Sequence, residues 1–90
     1  MPAPAFTWDE TKRQINLAKH GLDFAEVAEF TWEDAIVARD ARRDYGEVRY
    51  RAWGLFRGVM HSVAFTRNGG VVRVLSFRRA NRMERKRYGR

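Results

Sequence analysis

The chain has no cysteine, two prolines, two histidines and only three lysines among its 90 residues. Without cysteine there can be no disulfide framework, thiolate nucleophile or thiolate metal site. Two histidines alone make a poor metal centre. No apolar run approaches the ~18 residues of a membrane span. The start "MPAPAFTWDE" lacks the basic and apolar regions of a secretory leader, so a soluble, cytoplasmic protein is expected. No glycine-rich loop precedes a helix and lysine as a phosphate loop demands, and no acidic cluster is set to hold Mg²⁺. Ser62 and Ser76 lack a neighbouring His–Asp arrangement, which removes hydrolytic serine chemistry.

What is present is apolar material and arginine. Hydrophobic residues make up 44% and aromatics 13%, enough for one core, so residues 1–90 are read as a single folded domain. The fifteen arginines are unevenly placed. Residues 1–40 hold four Lys/Arg against eight acids, a net −4, while residues 41–90 hold fourteen against three, a net +11. A planar guanidinium grips phosphate with two parallel hydrogen bonds and stacks on bases, which a lysine ammonium does not. A basic half of this kind reads as a footprint for an anionic polymer, nucleic acid first. The plainer alternative is a genome that uses arginine for every surface cation.

Local patterns predict an α+β chain of order (β)ααββββα. Residues 3–8 suit a short edge strand. Thr7 with Glu10, and Asp23 with Glu26, match capping boxes for two helices joined at Gly21, an αα-hairpin. The first helix would bury Trp8, Ile15, Ala18 and Leu22, and would expose Lys12, Asn16, Lys19 and His20. The second would turn Phe24, Val27, Ala28 and Thr31 inward. "AIVAR", "EVRYRAW", "VMHSVAFT" and "VVRVLSF" read as strands of an antiparallel sheet of about four, with "GLFRG" and "RNGG" as turns. Asn81 and Glu84 would cap a short basic helix ending at Tyr88.

Period two sorts the strand residues. Ser76 and Arg78 share a face with Val72 and Val74, and Arg73 points the other way unless a bulge intervenes. Glu47, Arg49 and Arg51 line one face of "EVRYRAW". They are either a solvated ion-pair ladder or a proton acceptor beside phosphate clamps. His61 alternates with Val59, Val63 and Phe65 and is expected to be structural. His20, on the polar stripe in the last helical turn, is either merely solvated or functional, and the helix dipole is expected to raise its pKa.

Three segments together carry a resemblance. W-D-x-x-K-x-x-x-N-x-x-K-H-G from Trp8 to Gly21, G-E-x-R at Gly46–Arg49, and R-x-x-S-x-R at Arg73–Arg78 with E-x-x-x-Y at Glu84–Tyr88 resemble the BrnT family of type II toxin–antitoxin toxins, itself similar to the RelE-type ribonucleases. Members usually have alanine where Phe77 stands here. The resemblance implies a RelE-like sheet, metal-independent endoribonuclease activity and no cofactor. It also implies an antitoxin partner, BrnA-like and ribbon-helix-helix-like, with operator DNA bound only through that complex. Carried over by position, His20 and Glu47 become candidate base and acid in either order. Arg49, Arg73 and Arg78 become phosphate stabilisers, Ser76 an orienting group, and Tyr88 a base-stacking or proton-donating group. Lys12, Lys19, Arg51, Arg79, Arg82 and Arg85 would hold the RNA strand. The competing readings are a non-catalytic nucleic-acid binder and a cationic face that only docks a protein.

Overall fold

The computed structural model describes residues 5–42 and 44–89. Five strands form one mixed sheet in the order β1-β5-β4-β3-β2: β1 (Ala5–Trp8), β2 (Ile36–Asp40), β3 (Arg49–Phe56), β4 (Val59–Asn68) and β5 (Val71–Arg79). The expected four-stranded antiparallel sheet is therefore corrected. The edge strand belongs to the sheet and pairs parallel to β5, from Ala5↔Val71 to Trp8↔Val74. The part of that expectation that fell on residues 3 and 4 lies outside the described residues.

Turn chemistry sets the antiparallel register. "GLFRG" is not all turn, because β3 runs on to Phe56 and only Arg57 and Gly58 form the connection. Both have positive φ (51° and 78°), the conformation of the two-residue turn whose twist matches its flanking strands.

The helix α1 (Glu10–His20) follows β1. Its cap is Asp9, whose carboxylate accepts from the Lys12 N–H at 3.0 Å, rather than Thr7, which is still in β1. Gly21 closes it in the left-handed conformation (φ 70°), as expected. The second α-helix of the expected hairpin is a 3-10 helix, residues Phe24–Glu29, capped by the Asp23–Glu26 box and followed by a short 3-10 turn, Trp32–Asp34. Its apolar spacing explains the difference. Phe24, Val27 and Phe30 recur every three residues and all are buried, which suits three residues per turn rather than 3.6. Helix α2 (Arg82–Tyr88) carries the predicted Asn81–Glu84 capping box.

The core lies on one face of the sheet. Ala52, Phe56, Val63, Phe65, Val72, Val74 and Phe77 pack there against Phe24, Val27 and Phe30. His61 joins this side, 5% exposed, its ring edge-on to Phe56 and its Nδ1 2.7 Å from the Val59 carbonyl oxygen. Its structural reading therefore matches its placement. Burial, with help from Arg79 nearby, lowers its pKa despite that backbone hydrogen bond.

Candidate functional site

The other face of the sheet collects the predicted polar residues, and one irregularity makes this possible. In β5, Ser76 pairs with Ala64 but Val74 pairs with Phe65, so Leu75 has no partner and forms a bulge. Directly paired antiparallel residues share a face. Thr66, Ala64 and Ser62 alternate along β4 on the face away from the core, and they pair with Arg73, Ser76 and Arg78. The bulge thus brings Arg73 onto the face of Ser76 and Arg78, and leaves Val72, Val74 and Phe77 on the other. Arg51 and Trp53 of β3 continue these rows, opposite Ala64 and Ser62, and Asp40 of β2 stands opposite Arg49.

A cleft of about 360 Å³ opens on this face. Lys12, Lys19 and His20 from α1 form one wall, Arg49, Arg51 and Ser76 the floor, and Asp40, Arg42 and Tyr45 the far wall. Six residues marked from sequence therefore meet in one place. The polar stripe of α1 faces this cleft. Ile15, expected inside, is 60% exposed. Asn16, expected outside, is 5% exposed and bonded to the β5 backbone.

Glu47 and Arg73 are not among the residues that line this cleft. Glu47 pairs with Arg49 (3.2 Å) and with Arg73 (2.8 Å), joining them in one network. Arg49 also lies over the Tyr45 ring at 4.1 Å.

Arg78 and Tyr88 line an adjoining cleft of about 390 Å³, with Arg51, Asp40 and Arg42 shared between the two. There Glu84 does more than cap α2. It receives two hydrogen bonds from Arg78 (2.6 and 3.1 Å), one from Trp53 Nε1–H (2.7 Å) and one from the Asn81 N–H (2.9 Å). Burial alone would raise its carboxyl, but these donors hold it down at about 2. Tyr88, one turn after Glu84, stacks on Trp53 at 4.1 Å between centroids.

Three predicted RNA-binding residues fall away from this face. Arg79 pairs with His61 and belongs to the core side of the sheet, where it is exposed at the strand end. Arg82 and Arg85 lie on the exposed side of α2, because Glu84 and Tyr88 take the side that meets Trp53. Arg85 instead donates to the Ala80 carbonyl at 2.7 Å.

Two electrostatic features set the chemistry. Arg51 is largely buried, and its hydrogen bond among the described residues is to Ser62 Oγ (2.8 Å), with no ion pair. Burial and the neighbouring Arg78 and Arg42 lower its pKa. Arg49, Arg73 and Arg78, by contrast, already hold carboxylates. The pKa of His20 is lowered by burial first, then by Lys19 and Arg78, which reverses the rise expected from the helix dipole. Asp40 is held down at about 2, chiefly by hydrogen bonds from Arg42.

Sequence reading passed over Asp40, Arg42, Tyr45, Trp53 and the second role of Glu84. The polar "DARRDYGE" loop holds the first three, as charge without period. Among the described residues no three His, Asp or Glu side chains gather as a metal site would require, and no helix is long and apolar enough to cross a membrane.

Comparison with known proteins matches this arrangement to one group. Residues 8–84 match the family model described as "Ribonuclease toxin, BrnT, of type II toxin-antitoxin system". The fold is similar to the 1.1 Å crystal structure of the Brucella abortus ribonuclease toxin BrnT, with 36% identity and a TM-score of 0.69 over 89% of this chain and all of that one. A search of curated proteins finds no match. With its motifs on one face of the matching fold, the chain belongs to the BrnT family of ribonuclease toxins of type II toxin–antitoxin systems.

Proposed function

We propose that this chain is a metal-independent endoribonuclease that cleaves RNA through its own 2′-hydroxyl, in the cleft between α1 and the sheet. One observation carries the proposal. A largely buried guanidinium with no ion pair among the described residues, Arg51, shares a cleft with a histidine whose burial and neighbours favour its neutral form. A neutral imidazole is ready to take a proton, and a guanidinium that no carboxylate grips directly is ready to take a phosphate.

In this reading His20 accepts the 2′-OH proton as that oxygen attacks the adjacent phosphorus. The bond to the 5′-oxygen breaks, that oxygen takes a proton, and the upstream fragment ends in a 2′,3′-cyclic phosphate. Arg51 stabilises the crowded phosphate, and Arg49, held by Glu47 in common with Arg73, supplies a second guanidinium. Lys12 and Lys19 hold flanking phosphates, and Ser76 orients the group beside it. Arg78, engaged with Glu84, and Tyr88, stacked on Trp53, form a base-and-strand platform in the adjoining cleft. The family implies an antitoxin partner. We take it to be ribbon-helix-helix-like and BrnA-like, covering this cationic face, neutralising the activity and carrying the complex to operator DNA.

End-labelled RNA incubated with purified protein in excess chelator tests the reading. Fragments ending in cyclic phosphate are expected. RNA that is bound but stays intact, with chelator and with Mg²⁺, would leave a binding protein instead.

A further inference from the structure

Strand β1 covers the edge of β5 only as far as Trp8↔Val74. Beyond it, the backbone of Phe77, whose side chain is fully buried, would present an unpaired N–H and C=O. Both are taken by one side chain. Asn16 Oδ1 accepts from the Phe77 N–H at 3.0 Å, and Asn16 Nδ2 donates to the Phe77 carbonyl at 2.8 Å. The carboxamide offers one donor and one acceptor side by side, as a neighbouring strand residue would. Nδ2 also donates to the Leu22 carbonyl at 2.9 Å, which ties down the chain just after α1.

We infer that Asn16 is a positioning residue: by standing in for the missing strand at the edge of β5, it fixes the register of α1 against the sheet. Four residues before it on the helix is Lys12, and three and four after it are Lys19 and His20, all on the cleft wall. One residue before Phe77 is Ser76 on the cleft floor. The paired amide therefore sets the gap across which histidine and guanidinium must face one substrate atom. Displacement by about 1 Å in such a gap is enough to cost on the order of 10²-fold in rate. Asn16 borders the cleft but is only 5% exposed, and its carboxamide is already committed to the Phe77 and Leu22 backbone, so its part is to position rather than to react.

The inference rests on the ribonuclease reading for its kinetic test but not for its spectroscopic one. Asn16→Ala removes the pin. Asn16→Gln keeps an amide donor and acceptor but carries them one methylene further from the helix, a milder disruption that shifts the pairing rather than removing it and carries the test should the alanine variant not fold. The two histidine rings are titrated by NMR well below the melting transition. His20 should move up toward its ordinary value as α1 leaves Arg78 and the sheet, while His61, in the core, should titrate as in the wild type. Single-turnover cleavage should fall at least tenfold, with RNA affinity changed less than the rate. Unmoved titration of both histidines in a variant of lowered melting temperature would overturn the inference and leave Asn16 a purely structural residue. Failure of the wild type to cleave RNA would sink the ribonuclease reading alone, because the His20 titration would still decide the position of α1.

Discussion

Arg73 and Ser76 are three residues apart on one strand and stand on the same face of the sheet. Strict alternation would place them on opposite faces. The unpaired Leu75 absorbs one residue and restores both patterns at once, with apolar Val72, Val74 and Phe77 inward and Arg73, Ser76 and Arg78 outward. The cationic face is therefore built by a bulge, and its arginines differ in what already holds them.

That difference separates Arg51 from Arg78. Arg51→Met removes a largely buried cation that its neighbours Arg78 and Arg42 disfavour. Its melting temperature should equal or exceed the wild type, while RNA cleavage falls on the order of 10²-fold. Arg78→Met should instead lower the melting temperature, because the Glu84 carboxylate loses two of its donors. Thermal melts and cleavage rates of both variants check this, and a destabilised Arg51→Met would contradict it.

His20 gives a pH signature. Its active form is neutral and its pKa lies below the ordinary 6.5. Cleavage at limiting RNA should be flat through neutrality and fall only on the acid side, with the limb below 6.5, and His20→Asn should abolish the limb together with most of the rate. A limb at or above 6.5 would remove His20 as the base.

Glu84 links stability to acid. Its carboxyl titrates at about 2 in the folded protein against 4.5 when unperturbed. A depressed carboxyl stabilises fully above its unfolded value and loses that contribution as pH falls from about 4.5 toward 2. The shift corresponds to on the order of 3 kcal/mol. Urea unfolding of the wild type should steepen across that window, and Glu84→Gln should flatten it. Parallel pH profiles for the two proteins would show that the Arg78–Glu84–Trp53 contacts contribute little.

His61 should act through the core alone. It packs between Phe56 and Phe77, with ring centroids 5.1 and 5.6 Å away. His61→Ala should cost about 2–4 kcal/mol of stability, leaving cleavage per folded molecule unchanged at temperatures below the transition. Lost activity in a fully folded variant would reverse the assignment of the two histidines.

The candidate site was partly legible because several of its members stand in local patterns. Helical spacing puts Lys12, Lys19 and His20 together, and alternation puts Arg49 with Arg51, as the cleft lining has them. The error over Asn16 had one cause: an amide reads as a surface residue until an unpaired strand edge, 61 residues away, supplies partners for it. Arg79, Arg82 and Arg85 were drawn in by charge alone, and charge has no direction in a sequence. The direction of the His20 shift is not legible in the sequence because the helix dipole is local, whereas the burial that chiefly lowers its pKa, and the approach of Arg78, arise only when α1 packs on the sheet.

By itself the sequence determined the elements: alternation made strands, Asn81 with Glu84 capped α2, Gly21 ended α1, and paired positive-φ residues turned β3 into β4. These depend on dihedral preferences and partners a few residues apart, which a sequence displays directly. Tertiary structure alone decided the parallel seat of β1, the bulge at Leu75, the amide that completes the edge of β5, and that Arg51, among the described arginines lining the α1 cleft, has no ion pair. Each of those depends on distance and desolvation between segments far apart in the chain, quantities that exist only once the sheet has closed on its core.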